Sequence, residues 1–90
     1  MFKTLEELIT IIRQRKESST GKSYTKKLLK DKKLSVEKVK EEIAELIDAI
    51  EKNTNKVHEA ADALYHLMVL LEANGIKIED VMDELKKRQK

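Results

Sequence analysis

Cysteine, proline and tryptophan are absent from this 90-residue chain, glycine occurs only twice, and Phe plus Tyr supply three aromatics. Without cysteine there is no disulfide and no thiolate metal site, and a reducing compartment fits. A chain without Pro and almost without Gly, rich in Lys and Glu, has the composition of an all-helical protein. No apolar run is long enough to span a bilayer. The N-terminus lacks the uninterrupted hydrophobic stretch of a signal peptide, so a cytoplasmic protein with no membrane contact is expected. The formal net charge of +2 is close to balance and implies no general affinity for nucleic acid. The basic excess is local instead: Lys22 to Lys33 holds six lysines and one acid, Asp31. Such a run reads either as a solvated helix surface or as a cradle for an anionic substrate.

Apolar residues make up 40% of the chain, enough for a core, and charged residues another 40%. Ninety residues form one domain, 1–90, which as a monomer leaves much of its surface exposed. The periodicity predicts four to five helices in a compact bundle. The first opens at Thr4, which can cap Glu7 in a Thr-x-x-Glu box, and carries the apolar stripe Leu5, Leu8, Ile9, Ile11, Ile12. Ser18-Ser19-Thr20-Gly21 breaks it. A short helix over 24–30 turns Leu28 and Leu29 inward. Ser35 is the expected N-cap of a third helix reaching about Lys52, with Val36, Val39, Ile43, Leu46, Ile47 and Ile50 on one buried face. Asn53-Thr54-Asn55 makes a tight connection that also offers capping side chains, so the next helix packs antiparallel. That fourth helix, 56–74, presents Val57, Ala60, Ala61, Leu64, Leu67, Met68 and Leu71 to the core. Val69, Leu70 and Ala73 lie on its opposite side. A helix apolar nearly all round is covered twice, and in so small a domain the second cover is another subunit. Gly75 ends it as a C′ residue, and a last helix runs from Glu79 to about Arg88.

Two acid pairs stand near the starts of the third and fourth helices: Glu42/Glu45 and Glu59/Asp62. Residues three apart share a helix face and rise roughly 4.5 Å, so each pair forms a two-oxygen claw. Folded about Thr54, position 45 comes level with about 62, and Glu59 lies near Asp48. The claws then fall within about one turn of each other. Four converging carboxylates repel unless a cation lies between them, and all-oxygen ligation suits Mg²⁺ or Mn²⁺. In so charged a chain the same spacing also arises on a solvated face paired with lysines. His58 and His66 read as packing or surface residues rather than ligands. No Glu-x-x-His occurs, against a ferritin-like di-iron site, and no Ser, His and carboxylate set favours nucleophilic catalysis.

Gly21-Lys22-Ser23-Tyr24-Thr25-x-x-Leu28-Leu29 resembles the Ser-Tyr-Thr motif of the phosphoribosyl-ATP pyrophosphatases of histidine biosynthesis. Lys38-Val39-x-Glu41-Glu42-x-x-Glu45 resembles that family's metal helix, and the run Glu59 to Leu71 is similar to the helix that follows it. The acid pattern alone is shared by all MazG-like nucleotide pyrophosphohydrolases, including those acting on deoxynucleoside triphosphates. The Ser-Tyr-Thr motif and the Asp-x-Leu-Tyr-His run select the histidine enzymes. Lys40 where Gly is usual, Asp48 in place of an apolar residue, and a loop without Pro before Ser23 depart from the pattern.

The resemblance implies a MazG-like all-α homodimer that hydrolyses phosphoribosyl-ATP to phosphoribosyl-AMP and pyrophosphate with Mg²⁺. It makes Glu42, Glu45, Glu59 and Asp62 the metal ligands and Glu41 the candidate for positioning or deprotonating water. Lys22, Lys26 and Lys38 become candidate phosphate contacts, and Ser23, Tyr24 and Thr25 candidates for substrate recognition. A separate phosphoribosyl-AMP cyclohydrolase is the expected next enzyme. A helical dimerisation module whose acids are only a solvated face is the non-enzymatic alternative.

Overall fold

The computed structural model describes residues 2–17 and 23–89. The break at Ser18–Gly21 and the candidate phosphate contact Lys22 lie outside the described residues. Five helices follow in order: α1 (Lys3–Glu17), α2 (Tyr24–Lys30), α3 (Lys32–Lys52), α4 (Lys56–Ala73) and α5 (Ile78–Arg88). The described residues contain no strand.

Helix boundaries fall close to expectation, but the caps differ. Thr4 is not the N-cap of α1, because the helix starts one residue earlier and the Phe2 carbonyl accepts from the Leu5 and Glu6 amides at 3.1 and 3.2 Å. Ser35 does not cap α3 either. Asp31 does, its carboxylate accepting from the Leu34 amide at 3.0 Å, while its own N–H closes α2 on the Lys27 carbonyl at 3.0 Å. Ser35 instead lies inside α3, 1% exposed. Asn53 takes the left-handed conformation (φ 55°) that ends α3, and the Thr54 amide reaches back to the Ala49 carbonyl at 3.0 Å. Asn55 precedes α4 but makes no side-chain cap bond. At the other end of α4, Gly75 sits at φ 70°, donating to the Glu72 carbonyl, and Ile76 donates to that of Leu71. This is a Schellman closure with glycine at the left-handed position.

The core lies between α1, α2 and α4. Ile12, Leu28, Leu29, Met68, Val69 and Ala73 form one buried cluster, with Leu5, Leu8, Ile9, Leu34, Tyr65 and Ile78 packed on it. Ile11, expected on the inner stripe of α1, is 45% exposed. More consequential is an exchange of faces on the long hairpin. On α4, Val69 is fully buried within the chain and Ala73 nearly so, although the sequence assigned their side to another subunit. Of the face assigned to the core, Met68 is buried as expected, but Val57, Leu64 and Leu67 are 85%, 46% and 39% exposed. On α3 the same happens. Ile43, Ile47 and Ile50 are 42–56% exposed and Val36 is 37% exposed, while Val39 and Ala49 are buried. The physical reason is that α1 and α2 fold over the side of α4 carrying Val69. On α3 this leaves Val39 and Ala49 buried and Glu42 and Leu46 half-buried, and on α4 Ala63 is buried as well.

An ion-pair clamp that the sequence did not disclose ties α1 to the far end of α4 and to α5. Arg13 bonds Glu79 with both terminal nitrogens, Nη1 to Oε2 at 3.0 Å, and its Nε lies 3.6 Å from Glu72. Lys16 adds a bond to the Glu72 carbonyl at 2.9 Å. The Arg13 guanidinium holds the Glu79 carboxyl at about 2, well below the usual carboxylate range.

Candidate functional site

The α3–α4 hairpin carries all four predicted ligands, and its register follows from the three-residue link at Asn53–Asn55. Glu42, Glu45 and Glu59 place one ligand oxygen each within 4.8 Å of one another. Glu59 also belongs to a second group with His58 and Asp62 under the same distance limit. The two claws therefore meet, sharing Glu59. Beside them a cleft of about 380 Å³ opens, lined by Glu45, Glu59, Asp48, Thr54 and Asn55 among others. Asp48 reaches its rim while pairing with Lys52 at 3.2 Å.

These acids are not merely a solvated face. Glu42 Oε2 and Glu59 Oε2 are buried and have no hydrogen-bond partner among the described residues. Burial, then the hydrogen bond and charge of Glu45, push the Glu42 carboxyl above its ordinary range, with His66 opposing and Asp62 adding to the rise. Buried carboxylate oxygens without partners are costly unless a cation or proton meets them. An all-oxygen donor set of this kind fits a hard divalent cation. Glu42, Glu45, Glu59 and Asp62 are the side chains that could hold it, with His58, 3.4 Å from Asp62, exposed at the edge.

Glu41 falls outside both groups. It is exposed on the adjoining side of α3, paired with Lys38 Nζ at 3.5 Å. Lys38 is thus held beside the site by an i, i+3 pair, and both groups act electrostatically on the Tyr24 hydroxyl. Lys26 is half-buried on α2.

The Ser-Tyr-Thr segment opens α2, and each of its side chains has a partner inside the chain. Ser23 Oγ accepts from the Lys26 amide at 3.0 Å and so caps the helix. Tyr24 bonds His66 Nε2 at 3.0 Å, and Thr25 Oγ1 bonds the Tyr65 hydroxyl. Consecutive residues of α2 are thereby fastened to consecutive residues of α4. His66 Nδ1 lies 2.8 Å from the Asp62 carbonyl. A carbonyl only accepts, so Nδ1 carries the proton and Nε2 accepts from Tyr24. Burial raises the Tyr24 hydroxyl above its ordinary value, Lys38 opposing, which keeps it a donor. His66 is therefore not free to ligate. Sequence reasoning set His66 down as a packing or surface residue and named Tyr65 only within the Asp-x-Leu-Tyr-His run; the available signal for a shared role was that both lie within about one turn after Asp62.

Comparison with known proteins gives a single answer. A family described as phosphoribosyl-ATP pyrophosphohydrolase matches residues 5–89. The chain is 46% identical to a chloroplastic histidine biosynthesis bifunctional protein of Arabidopsis thaliana, over 94% of this chain and 33% of that protein. It is 45% identical to a bifunctional relative in Pyrococcus furiosus, over 96% of this chain and 41% of that one. Against a phosphoribosyl-ATP pyrophosphatase of Metallosphaera sedula it is 44% identical, with 100% of each covered. The chain thus spans less than half the length of the bifunctional relatives and the whole of this shorter one.

Proposed function

Because the chain belongs to the phosphoribosyl-ATP pyrophosphohydrolase family, we propose that it hydrolyses phosphoribosyl-ATP within histidine biosynthesis. A water adds across the α–β phosphoanhydride bond, and phosphoribosyl-AMP and pyrophosphate leave. The observation that carries this reading is the pair of buried, unpartnered carboxylate oxygens on Glu42 and Glu59, with Glu45 and Asp62 beside them.

Bound at these acids, Mg²⁺ (or Mn²⁺) neutralises charge on the triphosphate and lowers the pKa of a water. The chain's own residues supply the rest. Glu42, Glu45, Glu59 and Asp62 hold the cation. Glu41, one residue along α3 from Glu42, positions or deprotonates the attacking water. Lys38, which pairs with Glu41 on α3, contacts phosphate, as do Lys26 and Lys22. Ser23, Tyr24 and Thr25 shape the substrate side by fixing the start of α2 against α4.

The protein acts as a homodimer in this reading. Ile43, Ile47 and Ile50 on α3 and Val57, Leu64 and Leu67 on α4 form an exposed apolar face too extensive for a lone chain, and a second copy of the hairpin covers it. We place it in the cytoplasm, with a separate phosphoribosyl-AMP cyclohydrolase consuming its product. None of its helices is long and apolar enough to cross a membrane among the described residues.

The test is pyrophosphate release from phosphoribosyl-ATP and from a deoxynucleoside triphosphate panel, with and without Mg²⁺. Mg²⁺-dependent release with preference for phosphoribosyl-ATP is expected. Preference for the deoxynucleotides would reassign the substrate to the wider MazG-like group.

A further inference from the structure

Tyr24 stands in the first turn of α2 with its hydroxyl on His66 and its ring 5.7 Å from the imidazole, inclined at 74°. His66 is 7% exposed and held from behind by the Asp62 carbonyl, and the Thr25–Tyr65 bond fixes the next residue of α2. The ring is thus clamped, yet Tyr24 remains 47% exposed. Through His66, whose Nδ1 lies 2.8 Å from the Asp62 carbonyl, Tyr24 is one side chain away from the acid cluster. With the hydroxyl donating to Nε2, the group left to meet a ligand is the aromatic face. A fixed, half-exposed aromatic ring beside a phosphate-binding centre suits a base, because every base offers a π face to stack on.

We propose that Tyr24 is a stacking platform for the purine base of the nucleotide bound at the acid cluster, and that His66 is the positioning residue that fixes the ring. This rests on the proposed function for the presence of a nucleotide. A tyrosine serving only to fasten α2 would matter through its hydroxyl; a platform matters through its ring.

Two measurements separate these. In steady-state hydrolysis of phosphoribosyl-ATP, Tyr24→Leu raises KM on the order of 5- to 100-fold, the loss falling on KM rather than kcat. Tyr24→Phe, which keeps the ring, raises KM by at most about threefold on the same scale. His66→Leu, which removes the same bond, raises KM no further than Tyr24→Phe does, and His66→Gln, whose amide oxygen can still accept from Tyr24, restores it. Equal effects of Tyr24→Phe and Tyr24→Leu, or an unchanged KM in Tyr24→Leu, overturn the proposal. The second measurement needs neither turnover nor a Tyr24 variant. The chain has two tyrosines and no tryptophan, so in Tyr65→Phe the tyrosine fluorescence comes from Tyr24 alone. Quenching by AMP with Mg²⁺ is expected, and its absence at millimolar AMP overturns the stacking role. Wild-type protein that does not hydrolyse phosphoribosyl-ATP counts against the proposed reaction, and the fluorescence titration still decides the platform.

Discussion

Glu42 and Glu59, on opposite arms of the α3–α4 hairpin, each turn one carboxylate oxygen into the protein where no group among the described residues bonds it. Two like charges approaching across a helix seam are destabilising unless a cation or a proton lies between them.

It follows that charge removal and cation binding relieve the same repulsion, so each raises stability and the two do not add. In EDTA, Glu42→Gln and Glu59→Gln are expected to melt at or above the wild-type temperature, because repulsion is relieved. With millimolar Mg²⁺ the wild type gains in melting temperature and the variants gain little. Turnover falls on the order of 100-fold or more in either variant. Thermal melts with and without Mg²⁺ check the first part; equal Mg²⁺ responses in wild type and variants would return these acids to a solvated face.

The open face of the hairpin gives a second expectation. Ile47→Glu and Leu64→Glu put charge on residues 50% and 46% exposed in the single chain, so each chain keeps its core of Ile12, Leu28 and Val69. Light scattering after size exclusion should report a dimer for wild type and a folded monomer for both variants. A monomeric wild type would remove the second copy from that face.

The Arg13–Glu79 clamp predicts a pH dependence of defined sign. Folding lowers the Glu79 carboxyl from its ordinary 4.5 to about 2. Between these values the unfolded chain binds more protons, so the clamp's contribution is present in full above about 4.5 and fades as pH falls towards 2. Melting curves of wild type and Glu79→Gln should be separated at pH 6 and converge only as pH falls to about 2 and below. A separation that persisted at the acid end would mean that Glu79 acts through packing.

Gly75 and Asn53 share the left-handed conformation that ends α4 and α3, but only one is a glycine. Gly75→Ala meets no atom within 4 Å, so its cost is backbone strain alone, about 1–2 kcal/mol by urea unfolding. Asn53→Gly removes strain at φ 55° and is expected to be neutral or slightly stabilising.

The sequence made the helices and the meeting of the acids legible, because both depend on local spacing: a period of 3.6, and a short link that sets the hairpin level. It did not reveal which apolar face is covered. Val69 and Leu64 are equally hydrophobic, and only the path of α1 and α2 decides that the first is fully buried and the second 46% exposed. Helix caps failed for a related reason. Thr4 and Ser35 have the right chemistry, but Asp31 stands one residue before α3 and takes the role. The Tyr24–His66 bond joins residues 42 apart, and no pattern within either helix specifies the rotation that brings them together.

Asp31 ends α2 with its backbone and begins α3 with its carboxylate, leaving no spacer between the two helices. The pair is therefore mechanically stiff at that corner. Any swing of α2 that carried Tyr24 towards or away from a nucleotide would have to unwind the first turn of α3. A substitution at Asp31 is accordingly expected to be felt as slackness in the Tyr24 ring, seven residues upstream.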